Sequence, residues 1–371
     1  MRKTVALFVS SCVVSTIAGL STVLAGANIT VDAGTGEILS QEDPFQRWYP
    51  ASTTKLMTAY VAFRMLESGQ VTLDTPIRIT ALAAKQPPSK MGYKVGSELT
   101  LDNALKIMMV KSANDVAMAV GETLGGSSDK FADLMNAEAK RIGMTGSHFV
   151  NPNGLHSDDH YTTARDMAVL TLRLRREFPQ YAHYFDIEAI DYGGKKLQPN
   201  LNALIGRFQG ADGMKTGFVC PSGYNLIGSA TRDGRTIITV VFGELKLTTR
   251  ATKAAELLAK GFETHGTGAT IDTLQPYGAP TRDVAVNMRP SVCSKDVIGS
   301  DTWDGKDLEG HIVQGSPYMN RMDHEPAVEK VALLPAKVNS LGMELNRIPV
   351  PMPRPDRSSL TEASNATKAV N

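Results

Sequence analysis

Pro50-Ala51-Ser52-Thr53-Thr54-Lys55-Leu56-Met57-Thr58-Ala59-Tyr60-Val61-Ala62-Phe63-Arg64-Met65-Leu66 is the stretch on which the fold turns. From Ser52 to Leu66 apolar residues recur too continuously for one exposed face. The stretch therefore predicts a helix buried on most sides, the central helix of its domain. Glu67-Ser68-Gly69 ends it, with Gly69 in the position after the cap. A spacing of three stacks Ser52 and Lys55 on one helical face, where a desolvated lysine loses proton affinity and serves as base toward the serine hydroxyl. Taken alone, Ser-x-x-Lys reads as a capped helix start with a solvated lysine.

Working outward, Asn28 to Val31 alternates apolar residues, Asp32-Ala33-Gly34-Thr35-Gly36 turns, and Glu37-Ile38-Leu39 returns, which predicts a β-hairpin. Helical patterns follow at 101–124, 129–142 and 163–177, with Asn151-Pro152-Asn153-Gly154 as a loop between them. Across 213–243 the period shortens to that of strands, and Arg232-Asp233-Gly234-Arg235 is a hairpin turn between two apolar runs. A helix from Thr249 to Phe262 closes the region. The order predicts an α/β fold of the α+β kind: an antiparallel sheet with flanking helices, plus a helical lobe. Past residue 270 the pattern weakens, so 271–348 is expected to be a small C-terminal module of uncertain fold and 349–371 a disordered tail.

Composition narrows the function. The chain has 371 residues, 42% hydrophobic and 21% charged, with a formal net charge of +1. That is an ordinary globular composition with no basic field for a nucleic acid. Arg2 and Lys3, the uncharged run Val5 to Leu24 and the small residues Ala25-Gly26-Ala27 read as an export signal over residues 1–27, cut after Ala27. An uncleaved anchor is the competing reading, since the run is close to bilayer length. Export implies the periplasm or cell envelope, where Cys220 and Cys293 would stand either as a disulfide or as independent thiols. No Cys or His cluster suggests a metal or other cofactor.

Two further motifs follow Ser52-Thr53-Thr54-Lys55 in order. Ser112-Ala113-Asn114 interrupts the helical block, and a hydroxyl and a carboxamide two residues apart can present a proton carrier and an amide-binding group to one cleft. Lys215-Thr216-Gly217, after Gly210-Ala211-Asp212-Gly213-Met214, opens the sheet segment. It offers a cation and a hydroxyl to a carboxylate, while Gly217 lets a ligand backbone lie close. The alternative for this strand is an edge guarded by a lysine.

Ser-x-x-Lys, Ser-x-Asn and Lys-Thr-Gly in this order are a penicillin-recognising signature. Over roughly 28–265 the sequence resembles the low-molecular-mass penicillin-binding proteins, serine D-Ala-D-Ala carboxypeptidases of the β-lactamase/transpeptidase-like fold. The likeness extends to Pro50 through Thr58, to Asn151-Pro152-Asn153-Gly154-Leu155-His156 and to the 200–243 segment. It implies a peptidase domain over 28–270, with Ser52 attacking the carbonyl of the penultimate D-alanine, Lys55 taking its proton, and Ser112 relaying a proton to the leaving D-alanine. Asn114 would bind the substrate amide, Lys215 and Thr216 the terminal carboxylate, and the backbone N–H groups of Ser52 and Phe218 the oxyanion. Arg250 matches an arginine that helps bind the same carboxylate, or is a surface helix arginine. His156 reads as structural. Expected partners are peptidoglycan stem peptides ending in D-Ala-D-Ala, and β-lactams as acylating inhibitors. The Glu-x-x-Leu-Asn element of class A β-lactamases is absent, so a long-lived penicilloyl-enzyme is expected. An endopeptidase acting on cross-links and an inactive peptidoglycan-binding scaffold are the alternatives. Membrane association stays open, because the Pro-rich and polar C-terminus carries no clear amphipathic anchor.

Overall fold

A computed structural model describes residues 26–194, 197–266, 268–294 and 316–335. Its centre is a five-stranded antiparallel sheet in the order β2 (Ile38–Glu42), β1 (Asn28–Asp32), β9 (Arg235–Glu244), β8 (Gly223–Arg232), β7 (Ala211–Val219). Both hairpins expected from the sequence, β1–β2 and the Asp233-Gly234 turn between β8 and β9, are formed. Strand alternation sends Leu226, Ala230, Ile237 and Val241 to one face, where they bury Ala251, Ala254, Ala255 and Leu258 of α7 (Leu247–Glu263). Gly261 makes that approach close: a Cβ there would sit 2.7 Å from Ile237 Cγ2. The opposite face, with Ile29, Val31, Ile238, Val240 and Phe242, belongs to the larger core shared with α6 (Ala164–Glu177) and the helical lobe.

The lobe is built around α1 (Lys55–Glu67), buried without a break from Lys55 to Phe63, as the apolar run requires. Gly69, at φ +69°, ends it. The expected helix from Ser52 begins instead as a 3-10 turn, Ala51–Thr54, because Ala51 is held at φ +49° and the α-helical ladder starts only at Lys55. Around α1 pack α3 (Leu101–Val110), α4 (Asn114–Gly125) and α5 (Ser128–Arg141). The Lys111-Ser112-Ala113 break between α3 and α4 is therefore enclosed in the lobe. A short β3–β4 pair (Pro76–Arg78, Glu98–Thr100) and α2 (Ala81–Ala84) lie beside it.

The described parts of 271–348 lie against this domain. Within 268–294, Val286 N donates to Arg47 O (3.2 Å), Met288 N donates to Pro221 O (2.9 Å), and the short α8 (Arg289–Val292) ends at a Cys220–Cys293 disulfide. Of the two readings left open for these cysteines, the structure has the disulfide. β10 (Val328–Lys330) pairs in parallel with β5 (Ala189–Asp191), which also pairs with β6 (Gln198–Pro199). The export signal falls on residues outside the described ones save for Gly26 and Ala27, and the tail at 349–371 also lies outside them.

Candidate active site

The three motifs meet in a cleft of about 350 Å³ between the lobe and the β7 edge of the sheet. Ser52, Ser112, Asn114, Thr216, Gly217, Phe218 and Arg250 line it. Lys55 and Lys215 are buried beneath them.

Lys55 carries the most informative geometry. Its Nζ lies 2.9 Å from Ser52 Oγ, 2.8 Å from Asn114 Oδ1 and 2.7 Å from the Asn153 carbonyl. The Asn114 amide is oriented by its own donors, since Nδ2 donates to the Pro87 and Pro88 carbonyls (3.0 and 3.2 Å). Oδ1 is therefore the oxygen that faces Lys55. Burial, with the neighbouring Lys215 charge, holds the Lys55 amine well below the usual lysine range, against the opposing pull of Asp115. A neutral amine has two N–H bonds and one lone pair. Asn114 Oδ1 and Asn153 O can only accept, so in the neutral form they take the two N–H bonds and leave the lone pair to the Ser52 hydroxyl, whereas the protonated amine donates to Ser52 Oγ as well. That is the geometry of a general base and its nucleophile.

The backbone that delivers Ser52 is strained. Ala51 at φ +49° and Ser112 at φ +61° each occupy the left-handed region, at a cost on the order of 1–3 kcal/mol apiece. Neighbours hold the turn in place. Asn225 Nδ2 donates to the Tyr49 and Pro50 carbonyls (2.9 and 3.2 Å). Gly154, at φ +83°, lies so close that a Cβ would sit 1.9 Å from Ala51 O. Gly217 does the same from the sheet side, with a virtual Cβ 2.9 Å from Pro50 O and 3.0 Å from Ser52 N. At the far end of β7, Arg175 of α6 grips Asp212 through both terminal nitrogens (2.9 and 2.7 Å).

The sheet side of the cleft is cationic. Lys215 Nζ donates to Ser112 Oγ (2.9 Å) and to Thr216 O (3.1 Å), and burial beside Arg250 lowers it to about 7. Arg250 is buried, not on the surface, and burial lowers it to about 10. Its Nη1 donates to Asn225 O (3.4 Å), its guanidinium lies 5.8 Å from the Tyr224 ring centre, and its buried Nε has no hydrogen-bond partner among the described residues. Although β7 is an edge strand, Lys215 is not an edge guard, because its side chain is buried against Ser112.

Sequence reasoning missed several supports. His160 is buried, with Nδ1 facing the Val150 N–H (3.4 Å) and Nε2 2.9 Å from Thr54 Oγ1, and burial lowers it to about 3. The backbone donor to Nδ1 implies that Nε2 carries the proton and donates to Thr54, next to Lys55. Asn153 acts through its carbonyl, a role that leaves no mark on residue type. His156 stands edge-on to Tyr49 with ring centres 4.6 Å apart, outside the Lys55 network. Among the described residues no group of three or more His, Cys, Asp or Glu side chains could hold a metal ion.

Residues 14–246 match the family described as D-alanyl-D-alanine carboxypeptidase. The chain belongs to that family. It is 33% identical over 246 residues to the D-alanyl-D-alanine carboxypeptidase DacC of Escherichia coli, covering 64% of this chain and 61% of that one. The crystal structure of the D-alanyl-D-alanine carboxypeptidase DacD from Francisella tularensis is similar, with a TM-score of 0.61, 32% identity and coverage of 70% of this chain and 73% of that one. Penicillin-binding protein D2 from Listeria monocytogenes, in its cefotaxime-bound form, gives a TM-score of 0.59 at 27% identity, covering 64% of this chain and 97% of that one. The chain spans about three fifths of the length of the curated relatives it matches first.

Proposed function

We propose that the protein is an exported serine-type D-Ala-D-Ala carboxypeptidase that trims the terminal D-alanine from peptidoglycan stem peptides. The observation that carries the reading is the Lys55 amine, 2.9 Å from Ser52 Oγ and held by two acceptor-only oxygens, which turn the lone pair of the neutral amine toward the hydroxyl. Ser52 Oγ attacks the carbonyl of the penultimate D-alanine while Lys55 takes the hydroxyl proton. The peptide bond breaks, and the departing D-alanine nitrogen receives a proton through Ser112, which Lys215 hydrogen-bonds. Water then hydrolyses the ester on Ser52. Asn114 binds the substrate amide. Lys215, Thr216 and Arg250 bind the terminal carboxylate, and the N–H groups of Ser52 and Phe218 receive the oxyanion, with Gly217 allowing the close approach. Two buried cations with no carboxylate partner among the described residues favour an anionic substrate end.

The same chemistry opens a β-lactam ring, and the resulting ester on Ser52 is expected to persist. The Listeria protein's cefotaxime-bound form supports that expectation. We read residues 1–27 as the export signal and 28–270 as the peptidase domain. Ala27 is buried and its carbonyl accepts the Phe242 N–H (2.9 Å), so N-terminal sequencing distinguishes a cut after Ala27 from one that leaves this contact whole. Among the described residues no helix is long and apolar enough to cross a membrane. Labelling with a fluorescent penicillin, mass mapping of the adduct, and assay of D-alanine release from a pentapeptide test the reading. An adduct on a residue other than Ser52, or labelling without D-alanine release, overturns it.

A further inference from the structure

Asp115 follows Asn114 in the first turn of α4 and is fully buried. Its carboxylate accepts the Met91 N–H at 3.0 Å on each oxygen, the Gly92 N–H at 2.8 Å and the Val116 N–H at 2.9 Å. Met91 and Gly92 end a short loop whose other end is held by the preceding residue. Asn114 N donates to Ser89 O (2.7 Å), Asn114 Nδ2 donates to the Pro87 and Pro88 carbonyls, and Ser89 Oγ donates to Lys111 O (3.0 Å). Pro88 and Ser89 line the cleft. One wall of the cleft is thus fastened to α4 at both ends, by neighbouring residues.

The same carboxylate has an electrostatic reach. The charged groups acting on Lys55 are Lys215 from the sheet and Asp115 from α4, while His160, from the loop before α6, is neutral in the physiological range. Around Asp115 itself stand Tyr93, which burial and this carboxylate push up to about 12, and Lys111, which burial lowers while the carboxylate opposes. Lys111 directs its Nζ away, to Gln198 Oε1 at 3.0 Å.

We propose that Asp115 is a positioning residue for the reaction: it clamps the 87–92 wall over Ser112 and Asn114, and it supplies the negative charge that balances Lys215 across Lys55. This rests on the reading of Lys55 as the base. The role is separable from mere structural support because the two jobs answer to different variants. Asp115→Asn keeps the shape, removes the charge and turns an N–H toward the Met91 or Gly92 N–H. Ser89→Ala loosens the same wall and leaves every charge in place.

The test is the pH dependence of the second-order rate of Ser52 acylation by penicillin, with limited proteolysis of the 87–92 segment alongside. For Asp115→Asn the acid limb should move to lower pH, because protonated Lys55 loses its attractive neighbour, and the plateau should fall roughly tenfold as the weaker base takes the proton less well. Cleavage within 87–92 should quicken. Ser89→Ala should quicken cleavage without moving the acid limb. An unmoved acid limb in Asp115→Asn, or an equal movement in Ser89→Ala, overturns the proposal. Should Asp115→Asn fail to fold, amide exchange in the unaltered protein decides the clamp: Met91 and Gly92 are expected to be protected, and exchange at the rate of an open chain overturns it. If the unaltered protein is not acylated at all, the carboxypeptidase reading fails, and the exchange measurement still reports on the clamp by itself.

Discussion

The helix-mouth half of the cleft and its sheet half each bury a lysine, and the two halves treat that lysine differently. Lys55 is surrounded by oxygens: a serine hydroxyl, a carboxamide and a backbone carbonyl. Lys215 has Ser112 and its neighbour's carbonyl, and beside it lies a second cation, Arg250, whose Nε has no partner among the described residues. On the helix side, desolvation with a full set of acceptors yields an amine ready to take a proton. On the sheet side, desolvation sets two cations side by side with no carboxylate partner among the described residues, the arrangement behind the proposed anion site. Burial alone therefore does not assign a lysine its role; its partners do.

The sharpest way to break this comparison is at the helix mouth. Ser52→Ala is expected to abolish penicillin labelling and D-alanine release with the melting transition unchanged. Lys55→Ala should slow acylation by about 10² to 10⁴, the usual value of a general base. Labelling of Lys55→Ala at the rate of the unaltered protein would show that another group activates Ser52.

The sheet half should respond to the substrate's charge instead. Lys215→Ala is expected to lower kcat/KM by about tenfold to a hundredfold for peptides ending in a free carboxylate, the range of a charge-assisted hydrogen bond, and much less for amidated ones. Arg250→Ala should show the same selectivity, more weakly. Equal losses on both substrates would remove the carboxylate assignment.

The two lysines should also separate in pH. Lys215 is lowered to about 7, so the free enzyme loses this cation as the pH rises through that value, and kcat/KM for carboxylate-ending peptides should fall on the alkaline side. The fall should be absent for amidated peptides. Lys215→Arg should carry the limb to higher pH, because a guanidinium keeps its proton. Lys55, the proposed base, should govern the opposite limb, since burial carries its titration well below the usual lysine range. A single alkaline limb shared by both substrates would contradict this division.

The smallest effect on the chemistry is expected from the Cys220–Cys293 pair. The disulfide closes a loop with a sequence separation of 73, so replacing both cysteines by serine should cost about 4 kcal/mol of stability in the chain-entropy account. The β7–β8 ladder holds Phe218 opposite Tyr224 independently, so acylation of the folded variant should stay close to normal. A large loss of acylation at a temperature where the variant is folded would place the disulfide in the catalytic half.

Much of this was legible in the chain. The apolar run after Ser52 foretold a helix buried from Lys55 to Phe63, and the Asp233-Gly234 turn foretold the hairpin that carries β8 beside Lys-Thr-Gly. The supports around the site were less legible, for identifiable reasons. Asn153 works through a carbonyl, which every residue has. Asn225 and Gly154 act on the Tyr49–Ala51 backbone from positions far along the chain, and nothing in their local sequence names that target. Arg250 looked like either a surface or a cleft arginine because a helical pattern does not say what its inner face meets.

The sequence by itself determined which side chains are available and which of them are neighbours through local geometry: Ser52 above Lys55 by helical spacing, Ser112 with Asn114 at a break between helices, Lys215 with Thr216 on a strand. Only the tertiary structure decided that Lys55 is buried among acceptor oxygens, its basicity lowered, and that Lys215 is buried beside a second cation. Those properties arise from desolvation, and the surfaces that exclude water from Lys55 come from α4, the 151–156 loop and β7, which are remote from one another in sequence and meet only when the lobe closes on the sheet.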